Sequence, residues 1–368
     1  MLLDSYMPVK IVSGKNCLVE NGSKISAFGK KCIIVSGKSS AVKSGALSDM
    51  LKVLEKYSIE YIIFDEIEPN PETLTCKKAG DAAREYGADF VVGIGGGSVL
   101  DASKAVAIFA LNPELTHSGI YERVALAKHL PVVLVGTTAG TGSEVTGVSV
   151  LTNSDTGLKK SISGADCYAD ISFCDYRYTL SASVDTRIST ALDAFAHSIE
   201  AYVASSSNDL SEAYSLKALA LLADFLLTDK LSGELDDEAY EKLYVASLYG
   251  GLAINIAGTC FCHTVGYYLT ENYNIPHGRA CAAFIGELIM RAKKYCPRKL
   301  EAILECMNTG SDELVECIRK YADVSLTAHG AELSEIALRW KSGVKNFDRT
   351  PGGYTYEDAC RNLKEIIS

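Results

Sequence analysis

The chain has 368 residues, enough for two domains, with 48% hydrophobic against 22% charged residues, the balance of a folded chain rather than a disordered one. Asp plus Glu number 46 against 36 Lys plus Arg, and the resulting formal net charge of −10 argues against a nucleic-acid partner. No run reaches the roughly eighteen apolar residues of a membrane helix, and the start MLLDSYMPVK places Asp4 in its only apolar patch with no basic stretch, so neither a membrane span nor a secretory signal is predicted.

The first half alternates short apolar runs with helical stretches. KKCIIVSG (30–37) and IEYIIFDE (59–66) are strand-like, and the segment Ser44 to Lys56 between them has helical spacing. ADFVVGIG (88–95) is a further strand, followed by the helix VLDASKAVAIFAL (99–111) and the strand PVVLVG (131–136). Strands alternating with helices predict a parallel sheet built from βαβ units. Residues 144–175 break into short, polar-flanked runs and read as antiparallel additions at the end of that sheet. From about Thr179 the pattern turns helical, with long stretches at 183–204, 209–228, 236–254 and 279–295. Asp209 is the expected cap of the second of these, with Asn208 the alternative. The expected architecture is therefore an α/β domain with a parallel sheet over residues 1–178 and an all-α domain over 179–368, with ligands bound in a cleft between them.

Two loops at strand ends carry polar chemistry. In GIGGGSVLDASK (93–104), Gly95, Gly96 and Gly97 lack a Cβ, so their amides can approach an anion at the start of a helix. Ser98 and Asp101 have the spacing of a capping box for that helix. A purely structural turn is the alternative, and the loop is not the first strand–helix turn of the chain. The second loop, GTTAGTGSEVT (136–146), follows the strand PVVLV, so both loops are expected at the carboxyl edge of the sheet.

Six histidines are present: His117, His129, His197, His263, His277 and His329. Asp193 and His197 are four residues apart in STALDAFAHSIEAY, which places both on one helix face, able to hold one cation. His263 and His277 each stand near an apparent helix boundary, His277 between Pro276 and Gly278. Three imidazoles and one carboxylate suit Fe²⁺ or Zn²⁺; buried, hydrogen-bonded packing residues are the alternative. The run Cys260-Phe261-Cys262-His263 lacks a second cysteine pair at metal spacing and reads as buried thiols. The twelve cysteines are scattered over a long chain, as in the reducing cytoplasm.

These motifs together resemble the iron-containing (group III) alcohol dehydrogenases, a family related to glycerol dehydrogenase and dehydroquinate synthase. The resemblance covers the chain to about residue 280 and is carried by YMPVKIVSGKNCL (6–18), VSGKSSAVKSG (35–45), GGGSVLDASK (95–104), TTAGTGSEVT (137–146), LDAFAHSIEAY (192–202) and HTVGYYLTENYNIPHG (263–278). It implies Asp193, His197, His263 and His277 as the metal ligands, with Fe²⁺ usual and Zn²⁺ an alternative. It also implies Gly95, Gly96, Gly97 and Ser98 as the pyrophosphate loop, with Asp101 opening its helix and Asn70, Thr137, Thr138 and Lys159 (or Lys160) lining the dinucleotide. Many relatives carry a histidine, often given a proton-relay role, where this chain has Tyr267; Tyr267 is the candidate for that role, with packing as the alternative. Relatives that prefer NAD often place an acid after the strand KKCIIVSG to bond the ribose 2′-hydroxyl. Here Gly37, Lys38, Ser39 and Ser40 offer space, charge and hydroxyls, so NADP(H) is expected to be preferred over NAD(H).

The resemblance implies a homodimer that transfers hydride between NAD(P)(H) and a small primary alcohol or aldehyde, and the scattered cysteines place it in the cytoplasm. The rival readings are a dehydroquinate-synthase-like or glycerol-dehydrogenase-like enzyme on the same fold, and a non-catalytic metal- or nucleotide-binding protein.

Overall fold

The structure is a computed structural model and describes residues 5–122, 129–324 and 338–366, so His329 lies outside the described residues. The chain divides into two compact units. Among the described residues, one comprises Ser5–Ser183 and Asp236–Tyr244; the other comprises Val184–Leu235 and those from Val245 onward. The division thus falls a few residues beyond the expected 178, and a stretch expected in the helical domain clusters with the α/β unit.

The α/β unit is built on β1 (Lys10–Ser13), β2 (Lys31–Ser36), β3 (Glu60–Phe64), β4 (Phe90–Gly95), β5 (Val132–Gly136) and β8 (Ile171–Cys174). These six form one parallel sheet in the order β1-β8-β5-β4-β2-β3. The inner strands are apolar on both faces because both are covered. Ile33, Val35, Val91, Val132 and Leu134 pack with α4 (Thr73–Tyr86) and α5 (Gly97–Leu111). Cys32, Ile34, Val92, Val133 and Val135, at the alternate positions, pack with α1 (Cys17–Asn21) and α3 (Ala46–Lys56). Burying each large aliphatic side chain of this set contributes about 1.5–3 kcal/mol, and the polar residue buried in midstrand, Ser172 of β8, donates its hydroxyl to Glu144 O at 2.7 Å.

Residues 144–175 depart from the expectation. Only β6 (Val148–Thr152) and β7 (Lys159–Ser163) are antiparallel, and they form a separate two-stranded sheet. Strand β8 is instead parallel and lies inside the main sheet between β1 and β5, all four of its residues buried. Short length and polar flanks hid it, since neighbours are chosen by long-range pairing that the local pattern does not encode.

In the helical unit, α6 (Val184–Val203) and α7 (Asp209–Leu226) match the predicted stretches. Asn208 caps α7: its side chain accepts from the Leu210 and Ser211 amides, and Ser211 Oγ accepts from the Asn208 amide. Helix α8 (Asp237–Ala257) begins in the residues that cluster with the α/β unit. Helix α9 (Phe261–Tyr273) was not separately predicted. The stretch expected as one helix over 279–295 is two, α10 (His277–Ala282) and α11 (Ile285–Tyr295). No Gly or Pro marks the break at Ala283-Phe284; packing of α10 against α6 and α9 imposes it. Among the described residues no single helix is long and apolar enough to cross a membrane.

Candidate metal centre and dinucleotide loops

The chain order of the sheet creates a switch point. From β2 the chain moves outward to β3, then returns to the other side of β2 as β4 and moves on to β5. The carboxyl ends of β2 and β4 therefore flank a crevice, the usual ligand position in such a sheet. Gly37–Ser40 leave one of these ends and Gly95–Ser98 the other.

Helix α5 starts at Gly97; the Val99 and Leu100 amides already donate to Gly96 O, at 2.9 and 3.1 Å, which leaves the Gly97 and Ser98 amides at its start without intrahelical acceptors. A Cβ on Gly97 would stand 2.4 Å from Thr141 Cγ2, and one on Gly96 would stand 3.2 Å from Thr138 Oγ1, so the two polar loops lie against each other. The Thr137 amide donates to Gly95 O at 2.9 Å, while its buried hydroxyl has no partner. Asn70, at φ 59°, brings its amide to Ser98 Oγ at 3.4 Å, and its carbonyl accepts from Thr152 Oγ1 at 3.1 Å. Lys159 pairs with Thr152 across β6 and β7, which sets it beside Asn70. Lys160 points the other way along β7, its Nζ 4.9 Å from the centre of the Tyr121 ring. Gly95, Gly96, Gly97, Ser98, Asn70, Thr137, Thr138 and Lys159 thus belong to one neighbourhood. Ser39 is exposed and Ser40 half-buried at the start of α2 (Ser40–Lys43). A helix start, a glycine cradle and an unpartnered hydroxyl fit a dinucleotide pyrophosphate.

Asp101 is placed differently. Ser98 and Asp101 form no capping box, because the cap position is Gly96 and no side chain bonds to it. The Asp101 carboxylate instead accepts from Ser143 Oγ at 2.5 Å and the Val150 amide at 2.8 Å, and lies 3.5 Å from the Lys104 ammonium. Lys104, fully buried, donates to Ser143 Oγ, Thr146 O and Val148 O. A charge removed from water needs these acceptors, so Asp101 and Lys104 brace the second loop against α5.

The other predicted residues converge within the helical unit. Asp193 and His197 project from α6 one turn apart, His263 is the third residue of α9, and His277 opens α10. The Nε2 atoms of His197, His263 and His277 stand 3.9, 3.5 and 3.8 Å from the same atom, Asp193 Oδ1. The His197 and His263 rings stack at 4.4 Å, and His277 meets His263 edge-on at 5.4 Å. Asp193, His197 and His263 are buried and His277 is half-buried. Gly278 permits this approach: a Cβ there would fall 1.7 Å from Ser189 O and 2.8 Å from the Asp193 amide nitrogen.

Burial opposes the charge on Asp193, but His197, His277 and His263 outweigh it and hold the carboxyl well below the usual range. Burial likewise opposes a charged His263, and Cys281, Glu200 and Asp193 together raise it well above the ordinary imidazole value. Asp193 Oδ1 and His263 Nε2 are nonetheless buried without hydrogen-bond partners among the described residues. Such orphaned atoms are expensive unless something completes them. One carboxylate oxygen and three imidazole nitrogens aimed at a common point suit a divalent cation.

Two residues at the centre escaped the sequence reading. Glu200, fully buried seven residues after Asp193, meets His263 Nδ1 in a short contact and accepts from the Cys260 amide at 2.6 Å. A carboxylate on Nδ1 directs Nε2 inward, an arrangement usual for metal-bound histidine. Cys281 stands one turn after His277, its Sγ 3.7 Å from His277 Nε2. Both were legible only as helical spacing from residues already singled out, Glu200 at i+3 from His197 and Cys281 at i+4 from His277. Burial pushes the Cys281 thiol up to about 11, with His263 opposing. The Tyr267 ring lies flat on His277, centroids 5.1 Å apart at 9°. Arg279, the basic residue nearest the ligands in sequence, is committed to Asp185 at 2.7 Å and Tyr321 O at 2.5 Å. Its Nε is buried without a hydrogen-bond partner among the described residues.

Comparison with known proteins supplies independent information. Residues 8–176 match the family profile described as iron-containing alcohol dehydrogenase, and residues 187–327 match the C-terminal profile of the Fe-containing alcohol dehydrogenase family. A 1,3-propanediol dehydrogenase of Citrobacter freundii is 31% identical over 85% of this chain and 81% of its own length. An NADPH-dependent butanol dehydrogenase of Clostridium saccharobutylicum is 29% identical over 71% of this chain and 67% of its own. The crystal structure of an iron-containing alcohol dehydrogenase from Thermotoga maritima superimposes with a TM-score of 0.92 at 33% identity, covering 100% of this chain and 99% of that one.

Proposed function

The chain belongs to the iron-containing alcohol dehydrogenase family, and from that membership we propose that it interconverts a small primary alcohol and its aldehyde, using NADP(H) in preference to NAD(H). The convergence of three imidazole nitrogens on the unpartnered Asp193 Oδ1 carries the reading. Asp193, His197, His263 and His277 hold the cation, Fe²⁺ or Zn²⁺. When bound, the cation supplies a Lewis acid that polarises the substrate oxygen and lowers the alcohol's pKa. The nicotinamide ring supplies or accepts the hydride at C4, and the protein contributes position and electrostatics.

The chain's own residues set that position. Glu200 keeps the His263 Nδ1 side occupied, so that Nε2 faces the centre. Tyr267 lies parallel to the His277 ring, which favours a positioning role over a proton relay. The Gly97 and Ser98 amides at the start of α5 and the Thr137 hydroxyl receive the pyrophosphate. Ser39, Ser40 and Lys38 present hydroxyls and a positive charge where a 2′-phosphate would stand, which supports NADP(H). The relative described as NADPH-dependent is consistent with that preference. The twelve cysteines scattered over a long chain support a reducing, cytoplasmic setting.

The test is metal analysis followed by oxidation of NADPH and NADH against a panel of short aldehydes, with His277→Ala alongside. Activity and bound metal are expected to disappear together in the variant. Full activity of a metal-free His277→Ala protein overturns the proposal. The cofactor preference is tested with Ser39→Asp, because a Cβ at Gly37 would stand 2.9 Å from Ile67 O and disturb the strand end. Repulsion of the 2′-phosphate is expected to move the NADPH-to-NADH ratio by roughly tenfold, about 1.4 kcal/mol. An unchanged ratio refutes the preference.

A further inference from the structure

The second polar loop is closed on itself. It leaves β5 at Gly136, runs through Thr137, Thr138 and Thr141, and ends in the turn that carries Ser143 and Glu144. A Cβ at Gly136 would fall 2.1 Å from Glu144 Oε1 and 2.3 Å from Tyr244 Oη, so the carboxyl and the phenol fill the space beside the Gly136 Cα. The Tyr244 hydroxyl donates to Glu144 Oε1 at 3.0 Å, and both side chains are buried. Tyr244 lies in the first part of α8, which clusters with the α/β unit, so the clasp is internal to that unit. The loop therefore has two fixed ends, the Thr137 amide on Gly95 O and the Glu144 side chain folded back onto Gly136. Shortening the free span removes conformations, and a loop already ordered loses less freedom when a ligand binds.

Four titratable groups face the Glu144 carboxyl: Tyr244 of α8, Lys104 and Asp101 of α5, and Cys174 at the end of β8. Lys104 is the cation among them, and it is already committed. Its ammonium donates to Ser143 Oγ, Thr146 O and Val148 O and stands 3.5 Å from the Asp101 carboxylate. No charge is left over to balance a second buried carboxylate. Burial accordingly pushes the Glu144 carboxyl above the usual range, with the Tyr244 hydrogen bond and Lys104 opposing. Burial also raises the Cys174 thiol and the Tyr244 phenol well above their ordinary values, so neither supplies a charge near neutral pH. Glu144 Oε2 has no hydrogen-bond partner among the described residues, a position far less costly for a neutral acid than for an anion.

Taking the proposed dinucleotide site as its basis, we propose that Glu144, a neutral acid clasped by Tyr244, is a positioning residue for the dinucleotide: it holds the second loop closed, with Thr137 and Thr138 set against the first loop, and lets that loop go when it ionises. Ionisation leaves an anion beside Gly136 with no free cation, and hydrating that anion requires the clasp to open. The neutral form belongs to the closed loop, so closure is favoured at low pH and weakens as pH rises through the raised carboxyl value.

The experiment titrates metal-loaded, full-length protein with NADPH from about pH 7 to about pH 10, following the fluorescence of the bound nucleotide. Wild-type affinity is expected to fall by roughly tenfold or more across that range. Glu144→Gln is an uncharged isostere that keeps an acceptor for Tyr244. It is expected to match the wild type at the lower end and to stay within about threefold throughout. Tyr244→Phe removes the clasp, and NADPH affinity at the lower end is expected to drop by about fivefold to tenfold, with KM for NADPH raised more than kcat is lowered. Loss of the phenol donor also makes Glu144 harder to ionise, so the alkaline fall moves to higher pH in this variant, a readout independent of how well Glu144→Gln folds. Parallel pH profiles for the wild type and Glu144→Gln, or a Tyr244→Phe profile that coincides with the wild type or falls at lower pH, overturn this proposal and leave the dinucleotide site standing. Failure of the wild type to bind either NADPH or NADH overturns both.

Discussion

At the scale of the residue, the centre depends on groups that do not themselves point at the cation position. Glu200 is the clearest: fully buried, it touches His263 Nδ1 and accepts the Cys260 amide, so its charge is used twice. Glu200→Gln preserves size but replaces one carboxylate oxygen with a donor, and either His263 or the Cys260 amide loses its acceptor. Metal affinity is expected to fall by about 10–100-fold with the fold intact, measured by chelator competition beside circular dichroism. Unchanged affinity excludes the orienting role. Asp101 teaches the converse lesson. Its spacing from Ser98 is that of a cap, yet its carboxylate reaches Ser143 and Val150, because a buried Lys104 beside it requires a compensating charge.

At the scale of the element, one close helix contact decides whether the ligands meet. Helix α10 reaches α6 because Gly278 has no Cβ to strike Ser189 O. Gly278→Ala must push α10 outward, carrying His277 and Cys281 with it. An overpacked contact of this kind costs about 1–3 kcal/mol. The expected outcome is a lowered unfolding midpoint together with loss of bound metal, read by denaturant titration and elemental analysis. A variant as stable and as metal-loaded as the wild type contradicts the contact. Strand β8 shows why element identity was harder to read than element existence. A four-residue run, Ile171-Ser172-Phe173-Cys174, is as compatible with an edge as with the middle of a sheet, and only pairing with both β1 and β5 distinguishes them. The break between α10 and α11 has the same origin, a packing demand without a local breaker.

At the scale of the whole molecule, each unit carries its own candidate ligand site, so ligands are expected to stabilise them separately. A cation present at 100 times its dissociation constant adds about 2.7 kcal/mol to the state that binds it. Chelation is expected to lower amide-exchange protection in α6, α9 and α10 while leaving β4 and α5 little changed. Addition of NADPH is expected to protect the start of α5. Protection in α6, α9 and α10 that ignores the chelator denies the centre a resident cation. The net charge of −10 does not obstruct an anionic cofactor on this account, because local amides and hydroxyls at the loop tips, not the overall field, would receive it.

The sequence by itself determined the alternation of buried strands and helices, the two polar loops at strand ends, and the helical pairing of Asp193 with His197. Each rests on a local period or on residue chemistry within a few positions. The meeting of α6, α9 and α10, the seat of β8 inside the sheet, the reassignment of Asp101, and the presence of Glu200 and Cys281 at the centre were decided only in three dimensions. These depend on contacts between residues 84 positions apart, from Asp193 to His277, and 161 apart, from Lys10 to Ile171, and close packing, not periodicity, selects such contacts.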